Sequence, residues 1–154
     1  MTTPTREAST PAPPAWANAA VLAMLKTPGL RRLIGSRLAI LHFDGRRSGS
    51  RYEIPVTYTR YGDRVIMVTR RERTWWRNFV DRPEVELVLA GESVTGKAHV
   101  LSHEAATLST LSDYLLRNRI DARIYGIESR DGSFDPDDLR RVLDDVAVIA
   151  VDVD

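Results

Sequence analysis

The residues best suited to chemistry in this chain stand together in one turn, GRRSGSR, which holds Arg46, Arg47, Ser48, Gly49 and Arg51. The apolar run Leu38–Leu41 precedes it, and Ile54, Val56 and Tyr58 follow at period two, so the turn joins two strands. Forked guanidiniums and turn amides suit a phosphate or carboxylate, and glycine lets a backbone approach a ligand closely. The stretch is not a P-loop, because it lacks the Gly-Lys-Ser/Thr ending and precedes a strand instead of a helix. Taken alone, the turn fits an anion site and a solvated hairpin tip equally.

Two further features lie downstream. Pro55 interrupts the second strand; proline donates no ladder hydrogen bond, so it belongs at an edge or where a sheet opens, and a planar ligand could dock there. The segment Thr74–Asp81 carries Trp75, Trp76 and Asn78. At helical spacing Trp75, Asn78 and Phe79 share one face and Trp76 points away. Either one tryptophan covers a ligand or an interface, or both pack at the edge of a core. An asparagine on an apolar face needs a polar partner. Other chemistries find no support: His99 and His103 straddle a strand-to-helix junction with no third metal ligand suggested. Ser48 lacks a nucleophile-elbow setting and no triad can be assembled. The chemistry is therefore expected to belong to a bound cofactor, with no metal site.

These residues need elements to hold them. After the hairpin, Val65–Thr69 reads as a strand buried on both faces, ended by the charged loop Arg70-Arg71-Glu72-Arg73. Thr74 is placed to cap the tryptophan helix, which stops before Pro83. Glu84–Leu89 and Val94–Leu101 are strands, Ser102 is placed to cap a helix over His103–Arg119, and a Gly-containing loop follows. Asp135-Pro136-Asp137-Asp138 opens a short helix, and Val146–Val153 is the last strand. Before the hairpin, apolar residues recur at helical spacing from Ala15 to Leu33, broken by Pro28-Gly29. Such a helix can cap a sheet or associate peripherally with a membrane surface; its polar face is poor in Lys and Arg, which favours capping. Residues 1–14, with four prolines, read as a disordered tail, and 15–154 as one domain. Six short, mostly hairpin-linked strands with flanking helices predict a mainly β (α+β) fold, a small antiparallel barrel.

Composition narrows the class. The chain has no cysteine, which excludes disulfides and thiolate sites and fits a reducing compartment. No apolar run approaches a membrane span and no signal-peptide core is visible, so a soluble cytoplasmic protein is expected. Net charge is +1, but Arg46–Arg82 holds ten Arg against four acids, whereas Val100 to the end holds six Arg against twelve acids. The basic half calls for an anionic partner. Arginine outnumbers lysine twenty to two throughout, so the clustering carries more weight than the count.

GRRSG, then a strand with Pro55 six residues past Gly49, then W-W-x-N, resembles the deazaflavin-dependent nitroreductase family, split β-barrels of the flavin/deazaflavin oxidoreductase superfamily. The family's pattern is G-R-[RK]-S-G, an x-P strand and a helix with W-[YW]-x-N, and the similarity covers residues 20–103. The resemblance implies coenzyme F420, a deazaflavin with a phospho-oligoglutamate tail, and hydride transfer to a small organic acceptor such as a quinone, enone or nitro compound. It implies that Arg46, Arg47, Ser48 and Gly49 hold the phosphate and tail and that Pro55, Val56 and Thr57 lie along the ring. Trp75, Trp76 and Asn78 would wall the site, with Arg51 and Arg70 as further cofactor contacts. This chain has Tyr52 where members often carry a basic residue, a shorter loop before the tryptophan helix, and no strong match after His103. Tyr114 and Tyr125 are candidates there for proton donation or substrate contact, against ordinary packing. The alternatives are a barrel binding FMN or haem, and a non-enzymatic carrier of F420 or a fatty acid. No nucleic-acid-binding module is recognised. Barrels of this kind often pair, so a homodimer is compatible.

Overall fold

The computed structural model describes residues 15–29 and 37–154. The expected tail at 1–14, and the residues 30–34 expected to continue the N-terminal helical region, lie outside the described residues. In chain order the elements are α1 (Ala15–Lys26), β1 (Leu38–Asp44), β2 (Arg51–Tyr61), β3 (Arg64–Arg70), a 3-10 helix (Thr74–Phe79), β4 (Glu84–Leu89) and β5 (Glu92–Val100). Helices α2 (Glu104–Arg117), α3 (Arg119–Ile124) and α4 (Pro136–Asp145) follow, and β6 (Val146–Val153) ends the chain. The strands close into a barrel in the order β1-β2-β3-β6-β5-β4, every neighbouring pair antiparallel. This is the split β-barrel architecture in an α+β setting.

Alternation along the strands sorts the apolar residues into two cores. Inside the barrel lie Leu41, Phe43, Val65, Met67, Leu87, Ile149 and Val151, all buried. The outward residues of β3 and β6, including Ile66, Val146, Val148 and Ala150, are buried too, because Leu111, Tyr114 and Leu115 of α2 and Leu139 and Val142 of α4 pack over them. A strand covered on both faces reads as continuously apolar, which is why VIMV and VAVIAV carry so little polarity. Each such fully buried side chain stabilises the fold by about 1.5–3 kcal/mol before entropy is subtracted. Helix α1 packs on β1 and β2, with Leu25 buried and Lys26 paired to Glu53 at 2.6 Å, so it caps the sheet.

The barrel opens along the β2–β3 seam. Strands β2 and β3 pair from Tyr61↔Arg64 to Tyr58↔Met67 and no further. Continuing that register would set Thr57, Val56 and Pro55 against Val68, Thr69 and Arg70. Instead β2 stays paired with β1 there, Pro55 opposite Ile40, while β3 stays paired with β6. Pro55, lacking an N–H, sits at this divergence, where a missing donor costs least.

Helix starts differ in detail from the sequence expectation. The helix expected to open at Asp135-Pro136-Asp137-Asp138 is α4, and Asp135 caps it, its Oδ1 accepting from the amides of Asp137 (2.9 Å) and Asp138 (3.3 Å). Ser102 and Thr74 do not cap: the residues before α2 and the 3-10 helix are His103 and Arg73, neither making a side-chain cap bond. The segment expected as loop after Arg119 is the short helix α3. Asn118, buried between α2 and α3, donates to Thr59 Oγ1 (2.6 Å) and the Tyr114 carbonyl (3.0 Å), pinning that corner to β2. Among the described residues no helix is long and apolar enough to cross a membrane.

Candidate functional site

The β1–β2 turn is a compact, pre-shaped loop. The Gly45 amide donates to the Ser50 carbonyl (2.8 Å), the Gly49 amide to the Gly45 carbonyl (2.9 Å), and the Ser50 amide to Ser48 Oγ (3.2 Å). Gly49 has φ of 67°, a conformation that strains other residues. A Cβ at Gly45 would lie 2.6 Å from Ser48 Oγ and 2.8 Å from Tyr52 Cε2, so a larger residue there would have to displace those two side chains. Among the described residues the amides of Arg47 and Ser48 have no hydrogen-bond partner. Two free amides beside two guanidiniums are the chemistry that accepts an anion.

Asn78 ties this turn to the 3-10 helix. Its Oδ1 accepts from the Arg46 amide (2.8 Å) and its Nδ2 donates to the Trp75 carbonyl (2.8 Å), so the polar partner required on that face is a loop thirty-two residues away. Between turn and helix runs a groove of about 480 Å³, lined by Arg46, Arg47, Ser48, Trp75 and Asn78. Phe43 and Tyr52, stacked 5.4 Å apart, add an aromatic wall. Tyr52 thus brings an aromatic face, not a charge, to this position. Asn78→Ala is expected to cost about 1 kcal/mol of stability and to weaken an anionic ligand several-fold by freeing the turn; an affinity titration beside thermal unfolding checks both.

A second cavity, about 300 Å³, lies at the barrel opening. Pro55, Val56 and Thr57 form one side, Val68, Thr69 and Arg70 the other, and Asn18 and Val21 of α1 reach it. From α3 and its end come Asp121, Ile124 and Tyr125. Arg70 donates to the Ile124 carbonyl (3.2 Å) and lies over the Tyr125 ring at 5.3 Å, so it fastens α3 to β3. Burial, with Asp121 nearby, pushes the Tyr125 phenol up to about 12 despite Arg70 and Arg73. Trp75 lines both cavities.

Four predicted site residues line neither cavity: Gly49, which serves the turn through its positive-φ backbone, and Arg51, Trp76 and Tyr114. Arg51 points to the outer barrel face and pairs with Glu86 (3.1 Å) and Asp44 (3.5 Å), since strand alternation turns it away from the turn's inner side. A hydrogen bond from Ser93 holds that Glu86 carboxyl below its usual range. Trp76 donates its Nε1–H to the Arg71 carbonyl (3.1 Å) and stacks with the Arg71 and Arg77 guanidiniums, pinning the charged loop. Tyr114 is buried beneath α3, its hydroxyl donating to Asp121 Oδ2 (2.6 Å), and burial drives its phenol far upward. Sequence reasoning missed Asn18, Arg73, Gly45 and Asp121. For Asp121 a signal existed, because Ile120 and Ile124 stand one helical turn apart and mark a helix where a loop was expected.

Among families of known proteins, F420H(2)-dependent quinone reductase matches residues 18–121, which span the turn, the barrel opening, the tryptophan helix and Asp121. This chain belongs to the F420H(2)-dependent quinone reductase family. The match names a quinone as acceptor and the same reduced deazaflavin that the motif resemblance implied. No curated protein matches the sequence. Among solved structures, the FAD and heme binding protein from Mycobacterium smegmatis is similar at 15% identity and TM-score 0.56, over 82% of this chain and 65% of that one. A protein of unknown function from Agrobacterium tumefaciens is similar at 14% identity and TM-score 0.53, over 84% of this chain and 55% of that one. The chain therefore spans less than two thirds of either protein. An F420-H2 dependent reductase aligns at 14% identity and TM-score 0.48, over 75% of this chain and 93% of that one. At these identities the structural likeness concerns the fold.

Proposed function

We propose that this member of the quinone reductase family binds F420 across the two cavities and reduces quinones or similarly conjugated acceptors. The observation that carries the reading is Trp75: it joins a basic groove to a slot at the barrel opening, and F420 joins an anionic tail to a planar ring. Arg46 and Arg47, with Ser48, Gly49 and the free turn amides, would hold the phosphate and tail. Pro55, Val56 and Thr57 would lie along the ring, where β2 has left β3. When bound, the reduced cofactor supplies a hydride. The chain's own contribution is to hold the tail, shape the slot, and place the acceptor against Tyr125 and Ile124 with Arg70 fixing that wall. Positioning of this kind is the larger part of what a protein adds to cofactor chemistry.

Fluorescence titration with F420 and with FMN, side by side, tests the reading, because a phosphate-suited turn would also accept FMN. Saturable binding that favours F420, followed by cofactor oxidation when a soluble naphthoquinone is added, is the expected result. An absence of saturable F420 binding removes the reading, and binding without oxidation by any acceptor turns it into a carrier.

A further inference from the structure

The acceptor must gain a proton as well as a hydride, and neither tyrosine singled out in the sequence is placed to give it. Tyr114 is buried and its hydroxyl is already donated to Asp121, while Tyr125 is raised to about 12. Asp121 differs on three counts. It lines the cavity beside Pro55, Val56 and Thr57. Its Oδ2 accepts the Tyr114 hydroxyl at 2.6 Å, which fixes the carboxyl, and its Oδ1 has no hydrogen-bond partner among the described residues. It stands one helical turn before Tyr125, so both project to the same wall.

The charged and titratable groups around it are few. Tyr114 approaches from α2, Tyr125 from the end of α3, and Arg70 and Arg73 line the same cavity from β3 and the loop beyond it. Neither arginine pairs with Asp121, which forms no ion pair among the described residues. Burial consequently raises the carboxyl above its usual range, against the lowering effect of the Tyr114 hydrogen bond. A ring filling the slot would exclude more water and raise it further.

We propose that Asp121, positioned by Tyr114, delivers the proton that the acceptor takes up together with the hydride; this rests on the functional reading above. The balance is simple. A quinone takes a hydride, with its two electrons, from the reduced deazaflavin, and its oxygen takes the Asp121 proton to complete the hydroquinone. The oxidised deazaflavin is left with one proton to release to water, and Asp121 is reprotonated from water. Only the protonated carboxyl donates, so kcat falls as pH rises through the Asp121 pKa in the loaded protein.

The test compares wild type, Asp121→Asn and Tyr114→Phe, with F420H2 and a soluble 1,4-naphthoquinone. Asp121→Asn can still accept the Tyr114 hydroxyl. It is expected to keep the F420H2 Kd within about threefold, to lower kcat about 100-fold, the low end of general-acid effects, and to flatten the alkaline limb. Tyr114→Phe removes the hydrogen bond that fixes the carboxyl and lowers its pKa, so it should lower kcat about fivefold, less than Asp121→Asn does, and move that limb to higher pH. In the free protein, the Asp121 carboxyl carbon followed by NMR should titrate above the ordinary aspartate range. Three results overturn the proposal: Asp121→Asn with wild-type kcat and pH profile, a Tyr114→Phe limb that stays or moves down, or an Asp121 midpoint at or below the ordinary range. Wild-type protein that binds no F420H2 overturns the underlying reading and the proposal with it, a result distinct from those three.

Discussion

Replacing Arg46 and Arg47 together by alanine is expected to weaken F420 binding about 100-fold while leaving kcat at saturating cofactor within about threefold. The figure follows from two charge-assisted hydrogen bonds at about 1.5 kcal/mol each, the low end of the range, because both side chains are exposed. Every 1.4 kcal/mol is about a tenfold change in Kd. Exposed charges are also screened, so the wild-type Kd should rise with salt and the double variant's should hardly respond. The turn's fold should survive, because its internal hydrogen bonds use backbone groups, Ser48 Oγ and Asn78, and neither arginine side chain. Titration at low and high salt, beside saturation kinetics, decides it. A fall in kcat with an unchanged Kd would mean that the turn serves the reacting end of the ligand and not its tail.

Gly96→Ala should destabilise the barrel by about 3 kcal/mol, lowering the melting temperature by roughly 6–12 °C for a chain of this size. Gly96 lies in β5 between Val85 of β4 and Val153 of β6, so it stands at a closing seam of the barrel. A Cβ there would be driven into the Asp152 carbonyl oxygen and to 2.9 Å from Val151 Cγ1. The first obstacle is backbone held in a strand ladder, which cannot step aside as a side-chain tip can. Its neighbours on the seam, Ala98 and Val151, are buried, so relief by outward movement would unpack the core. Urea or thermal unfolding followed by tryptophan fluorescence reads the effect directly; a loss under 1 kcal/mol would show that β5 and β6 can separate locally without cost to the core.

The strands were legible because their signals are local. Period-two alternation at Ile54–Tyr58 and Glu84–Leu89, the double-sided apolar runs of β3 and β6, and the Asp135-Pro136 helix opening all depend on neighbours along the chain. The basic turn and Pro55 stood out for the same reason, since residue type alone restricts what their backbone can do. Alternation and helical spacing turn Arg51 and Trp76 away locally, but the partners of Arg51, Trp76 and Tyr114 depend on what other elements bring opposite: Glu86 on β4, two guanidiniums, and the Asp121 carboxyl of α3.

By itself the sequence determined an antiparallel barrel of six strands, a glycine-shaped turn rich in arginine, and a tryptophan helix after the third strand. These follow from backbone conformations and alternation that a few consecutive residues specify. Only the tertiary structure decided where β2 and β3 part, that Asn78 reaches back to the Arg46 amide, and that Asp121 shares a cavity with Pro55–Thr57. Closing the barrel sets those distances. Burial, which no single stretch of sequence contains, then separates a carboxyl held above its usual range from the charged residues around it.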